Sequence, residues 1–165
     1  MSKAILMNFQ VDKENKQVKV DRSFNAPIDM VWPAWTQSEI LDQWWAPKPW
    51  KANTKSMSFT NGGKWLYAME GPQGEKHWSV CEYSGIKPVQ EFTGRTAFCD
   101  EEGYVKPGDP QSNWHVVFNE DGDATKVAIV ITFDELKDLE AHIQMGFKEG
   151  FTMGLQNLDE YLVGK

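Results

Sequence analysis

Hydrophobic and polar residues alternate singly near the start of the chain, then change period. "ILMNFQV" and "VKVDRSF" flank the polar stretch "DKENK", which predicts a two-stranded hairpin. In the second segment Val18, Val20, Arg22 and Phe24 share one face and Lys19, Asp21 and Ser23 the other, as in a half-exposed strand. Along "NAPIDMVWPAWTQSEILDQWW" the spacing becomes helical: Ile28, Val31, Trp32 and Trp35 fall on one side, with Pro33 interrupting the middle. Ser38 is placed to cap a second helix. Two short helices are therefore expected. The second should end near Trp45, because Pro47 and Pro49 bias Ala46 and Lys48 out of helical geometry. Consecutive helical residues point about 100° apart, so Trp44 and Trp45 cannot both face one neighbour. One should anchor the helix in the core and the other should look toward a cavity mouth.

From about residue 53 to 134 the chain reads as strands separated by turns: "NGGK" at 61 to 64, "GPQGEK" at 71 to 76, "KPVQ" at 87 to 90 and "NEDGDA" at 119 to 124. Short links between successive strands imply antiparallel pairing. Residues 101 to 113 form the one long loop, a candidate lid or a plain connection. The last segment predicts one helix from Leu136 to Leu162, with Leu136, Leu139, Ile143, Phe147, Phe151, Leu155, Leu158 and Leu162 on a single stripe. At 1.5 Å per residue that is a rod of roughly 40 Å. Gly146, Gly150 and Gly154 interrupt it at four-residue spacing, at a cost of about 1 kcal/mol each relative to alanine. Their inward placement has two readings, close approach of the helix backbone to a sheet carrying tryptophans, or an unfilled apolar space beneath the helix.

Composition narrows the function. With 165 residues the chain is expected to form one domain, residues 1 to 165, with a continuous core. Eight tryptophans and nine phenylalanines are a surplus of aromatic surface. Seventeen basic against twenty-four acidic residues, a net charge of −7, argue against nucleic acid and anionic membranes as partners. Cys81 and Cys99 fit no zinc, redox or haem spacing and read as reduced thiols. The N-terminus has no secretory signature, and no stretch reaches the roughly 20 apolar residues of a membrane span, so the expected location is cytoplasmic.

Searches for chemistry return little. There is no phosphate loop, no nucleophile elbow and no paired CxxC, and no cofactor or metal is expected. "NEDGD" reads as a hairpin turn, not a calcium loop. His77, His115 and His142 are isolated; His77, beside Trp78 in "EKHWSV", is the best placed to reach a cavity. In "KWLYAME", Trp65, Tyr67 and Met69 share one strand face.

The order of these elements carries a resemblance. "VDRSFNAPIDMVWPAWTQSEILDQWWAP", "NGGKWLYAMEGPQGEKH" and "GFKEGFTMGLQNLDEYL" resemble, in sequence and order, the START-related, Bet-v-like (SRPBCC) superfamily. Within it they resemble the family of homologues of the heat-shock ATPase activator. The resemblance runs from about Val18 to Leu162. It implies an α+β helix-grip fold: a curved antiparallel sheet wrapped around a long C-terminal helix, with two short helices after the first strands. It also implies a cavity for a hydrophobic molecule. Gly150-Phe151 stands where many relatives have Gly-Trp, and the activator's separate N-terminal domain is absent, so its chaperone role does not carry over. The expected function is non-enzymatic binding of a small hydrophobic or aromatic ligand by a subset of Trp45, Trp50, Trp65, Tyr67, His77, Trp78, Trp114, Phe147 and Phe151. A cyclase- or dehydratase-like enzyme and a chaperone-associated interaction module are the alternatives. Monomer and homodimer both stay open.

Overall fold

The structure, a computed structural model, describes residues 7–164. In chain order the elements are β1 (Met7–Asp12), β2 (Gln17–Phe24), α1 (Ile28–Thr36), α2 (Ser38–Trp44), β3 (Lys51–Met57), β4 (Lys64–Glu70), β5 (Lys76–Lys87), β6 (Glu91–Phe98), β7 (Gln111–Asp121), β8 (Ala124–Phe133), α3 (Leu136–Gln144) and α4 (Phe147–Val163). The eight strands form one antiparallel sheet in the order β1-β2-β8-β7-β6-β5-β4-β3. Strands β3 to β8 are a meander of hairpins, and the β1–β2 hairpin docks on β8. The alternation in β2 sets its register: Val18, Val20, Arg22 and Phe24 are all buried. Ile5 and Leu6, the start of the first predicted strand, lie outside the described residues.

Gln37 leaves helical geometry (φ −118°, ψ 127°) and splits the first helical stretch into α1 and α2. Gln37 occupies the capping position with no side-chain hydrogen bond, and Ser38 is the first helical residue instead of the cap. Pro33 lies inside α1 without ending it. Thr36 Oγ1 donates to the Trp32 carbonyl (2.9 Å) in the last turn. Trp44 is the anchoring tryptophan: it is fully buried, its Nε1 donates to the Ala34 carbonyl (2.8 Å), and its ring meets Trp35 edge to face.

The expected single C-terminal rod is two helices. Gly146 adopts a left-handed conformation (φ 89°) and breaks the segment between α3 and α4. Leu136, the first residue of the predicted stripe, is exposed, whereas Leu139, Phe151, Leu155, Leu158 and Leu162 are buried; the apolar spacing runs on through Gly146, so periodicity alone does not reveal the break. The long loop begins earlier and ends sooner than predicted, because Gln111–Asn113 pair with β6 as part of β7.

Each of the three glycines has a separate role. Gly146 makes the break. Gly150 has room: a Cβ there would lie 3.6 Å from Pro47 Cγ, an ordinary contact. Gly154 has none, since a Cβ would lie 3.1 Å from the Trp45 carbonyl oxygen and 3.3 Å from that of Trp44. The close approach is therefore to the C-terminal end of α2, not to the sheet. Asn157, one turn on, donates from Nδ2 to the Ala46 carbonyl (3.1 Å) and satisfies part of that helix end. On the other side of α4, Asp159 pairs with the buried Arg22 of β2, whose Nη1 lies 3.0 Å from Asp159 Oδ1.

Two alanine substitutions in one helix should thus have opposite signs. Gly150→Ala should stabilise the protein by about 0.5–1 kcal/mol by removing backbone freedom from the unfolded chain. Gly154→Ala should destabilise it by about 1 kcal/mol or more, because the added methyl pushes α4 off α2. Urea unfolding of both variants measures this; equal stabilisation by the two would refute the close approach.

Candidate functional site

The C-terminal half of α4 packs tightly, with Leu155 and Leu158 at 0% exposure. Its N-terminal half meets the sheet through Phe147 and Phe151, whose rings reach Trp114 of β7 and, for Phe147, Phe9 of β1. Between helix and sheet lies a cavity of about 380 Å³, within the range of about 300–1,000 Å³ typical of small-molecule sites. The turn after α2 contributes Trp45, Pro47 and Trp50. The sheet contributes Tyr67 and Met69 from β4, His77 and Ser79 from β5, Thr96, Ala97 and Phe98 from β6, and Trp114 from β7. The far wall is His142 of α3, Met145 and Gly146 at the break, and Phe147, Gly150 and Phe151 of α4; Pro110 closes one side.

Rings dominate the wall. Phe147 and Phe151 stack one turn apart (5.3 Å, 14°), and Trp114 meets each edge on. Trp45 touches Trp114 and Phe151 and donates from Nε1 to the Tyr67 hydroxyl (2.9 Å). Burial pushes the Tyr67 pKa up to about 12, so it is a neutral phenol. Trp50 packs beside His77 (5.5 Å) at the rim. Gly71 makes room for Trp50: a Cβ there would come within 2.9 Å of its Cη2.

Of the nine residues expected at a ligand site, Trp45, Trp50, Tyr67, His77, Trp114, Phe147 and Phe151 line this cavity, whereas Trp65 and Trp78 do not. Trp65 stacks behind Tyr67 (4.0 Å, 20°), donates to Thr54 Oγ1 (2.9 Å), and borders a small void of about 30 Å³ deeper in the core. Trp78 is on the opposite face of the sheet, against Leu66, Val80, Ala97 and Cys99. The reason is the strand itself: His77 and Ser79 point into the cavity, so the residue between them must point away. Trp45 forms the inner wall, not the mouth.

The loop after β6 covers that opposite face. Its Gly103 lies against Leu66, and Cys99 bridges to Val105. Only Pro110 of the loop reaches the cavity, so the candidate lid is mainly a cover for the outer cluster. Cys81 is in the main core and Cys99 in the outer cluster, both as free thiols. Burial pushes the Cys81 pKa up to about 12, away from nucleophilic use.

His142 is the residue the sequence undervalued. It packs against Phe98 (6.0 Å, 21°), Phe133 (4.9 Å) and Phe147 (5.8 Å). No well-formed hydrogen bond reaches its buried Nδ1. Burial lowers its pKa below the usual histidine value, against the opposing pull of the Asp138 carbonyl and charge. Treated as one helix, His142 would lie about 140° from Phe147 and about 180° from Phe151; it shares their cavity only because the break at Gly146 turns α3. His115 is exposed and lies 3.2 Å from Glu91.

An eight-stranded antiparallel sheet curled about a C-terminal helix, with the cavity between them, defines a helix-grip protein of the Bet-v-like superfamily. Residues 25–163 match the family described as activator of Hsp90 ATPase homolog 1-like protein, and the chain belongs to that family. It is similar to a solution structure from Arthrobacter aurescens (25% identity, TM-score 0.89, covering 96% of this chain and 92% of that one). It is also similar to a crystal structure from Mycobacterium smegmatis (23%, 0.87, 96% and 97%) and a solution structure from Staphylococcus epidermidis (24%, 0.82, 94% and 94%). The last two likenesses carry the fold alone. A comparison with curated proteins gives no match. No helix among the described residues is long and apolar enough to cross a membrane.

The His142 environment sets a pH dependence. A histidine whose folded pKa lies below its unfolded value of 6.5 stabilises the fold fully above that value. That contribution is lost as pH falls from about 6.5 through the lower folded pKa, because the unfolded chain takes the proton first. Thermal unfolding between about pH 7.5 and 5 should therefore show wild type losing stability faster than His142→Phe, which keeps the ring packing. Parallel curves would remove His142 from the account.

Proposed function

We propose that this chain binds a small hydrophobic or aromatic molecule in the cavity between α4 and the sheet, without transforming it. The observation that carries the reading is an unfilled space of about 380 Å³ walled by Trp45, Trp50, Tyr67, Phe98, Trp114, Phe147 and Phe151. Aromatic rings supply large burial area and ring contacts of about 0.5–1.5 kcal/mol beyond it. Polar groups are few, which suits orientation more than catalysis. A general acid or base needs a hydrogen-bonded route to its proton. Here Tyr67 is bonded to Trp45, an N–H donor with no acid–base chemistry, and His142 Nδ1 has no well-formed partner. Membership of the family supports binding as the general role of the fold; the ligand and the non-enzymatic role are our reading.

Binding should change tryptophan emission, since Trp45, Trp50 and Trp114 all line the cavity. A panel of fatty acids, flavonoids and polyketide-like compounds titrated against wild type should include at least one that binds. Gly150→Leu, which places a side chain against the cavity wall, should weaken that ligand at least about tenfold while helical circular dichroism is kept. A flat response across the panel, with no co-purifying molecule in native mass spectrometry, would overturn the proposal.

A further inference from the structure

Among the residues lining the cavity there is no aspartate, glutamate, lysine or arginine. In a chain with 25% charged residues this is a property of the wall. Of the lysines adjacent in sequence to lining residues, Lys48 pairs with Glu160 (2.9 Å), Lys76 with Glu70 (3.8 Å), Lys148 lies over the Phe9 ring (5.5 Å), and Lys51 is exposed. The titratable groups of the wall are Tyr67, His77 and His142. Tyr67 and His142 are both shifted by burial toward their neutral forms, and His77 sits at the rim against Trp50. The acid beside the break, Glu149, would lie 3.7 Å from a Cβ on Gly146, and it would repel an anion.

Resting on the reading of the cavity as a ligand site, we infer that its ligand is a neutral aromatic molecule carrying a carbonyl oxygen, which accepts the proton of the Tyr67 hydroxyl. A buried ion needs a counter-ion or several hydrogen bonds to offset its lost hydration; this wall has no lysine or arginine, and Trp45 and Ser112 already engage two of its few hydroxyls, those of Tyr67 and Thr96. An ammonium group would meet ring faces but no carboxylate. The Tyr67 hydroxyl has one proton and two lone pairs. Trp45 Nε1, a donor only, takes a lone pair (2.9 Å) and so orients the phenol. Ser79, the cross-strand partner of Tyr67, also donates toward that oxygen, and with both lone pairs engaged the phenol proton is directed to the cavity. The Thr96 hydroxyl is already shared with Ser112 (2.8 Å).

The test uses one skeleton in four forms: methyl naphthyl ketone, naphthoate, naphthylmethylammonium and ethylnaphthalene, by isothermal titration calorimetry at about pH 8, above the ordinary histidine range. The ketone should bind at least about tenfold more tightly than either ion. Tyr67→Phe should weaken the ketone about five- to tenfold, the loss of one hydrogen bond, and leave ethylnaphthalene within about twofold. Naphthoate or the ammonium binding as tightly as the ketone would overturn the neutrality inference while leaving the cavity reading intact. An unchanged ketone affinity in Tyr67→Phe would overturn the role of Tyr67. If none of the four binds, this inference falls, while the cavity reading is decided by the panel titration above.

Discussion

Helix α4 is held by its backbone. At Gly154 the absence of a side chain lets the helix rest on the carbonyl oxygens of Trp44 and Trp45, the last polar groups of α2. Asn157 hydrogen-bonds the Ala46 carbonyl, which helps serve that helix end. This single seat fixes the height of α4 above the sheet. The Arg22–Asp159 pair ties the same half of the helix to β2 from the other side. Arg22 is buried at 4% exposure, so removing Asp159 would leave a buried charge without its counter-ion.

Because the clamps run from the middle of α4 (Gly154) to Asp159, its first two turns extend beyond them. The helix starts at Gly146, where the left-handed turn lets α3 leave at another angle. Phe147 and Phe151 project toward Trp114 and Trp45 but leave a gap. Empty apolar space forgoes dispersion contacts that a packed core would make. The seat at Gly154 prevents the helix from closing the gap by sinking, and Gly150 contributes no side chain to fill it. The same fixed end of α2 positions Trp45, so seat and cavity wall are adjacent residues of one turn.

Much of this was legible from period alone. The β2 alternation, including Arg22 on the buried face, and the opposed directions of Trp44 and Trp45 follow from strand and helix geometry. Two features were not legible because a local rule gives no sign of them. A glycine that ends a helix by turning left-handed and one that stays helical look alike in a hydrophobic stripe, as Gly146 and Gly150 do. Which partner a bare helix face meets is a tertiary fact, and Gly154 met α2 instead of the sheet. His77 and Trp78 are adjacent in a strand, so placing both at one ligand contradicted the period of two. That rule would also have pointed to Ser79, which does line the cavity.

Family membership and site chemistry answer different questions here. The match over residues 25–163 spans β3 to β8, the two short helices, α3 and α4, yet one fold serves many functions and the site must be argued from its own groups. Those groups share one origin. Residues that face inward on β4 to β7 do so beneath the first turns of α4, where rings outnumber polar groups. Burial then drives Tyr67 and His142 toward their neutral forms, so the wall loses charge by environment as well as by composition. The height of α4 therefore governs both the volume of the cavity and its electrostatic character, and the two properties relevant to ligand choice trace to the carbonyl contacts at Gly154.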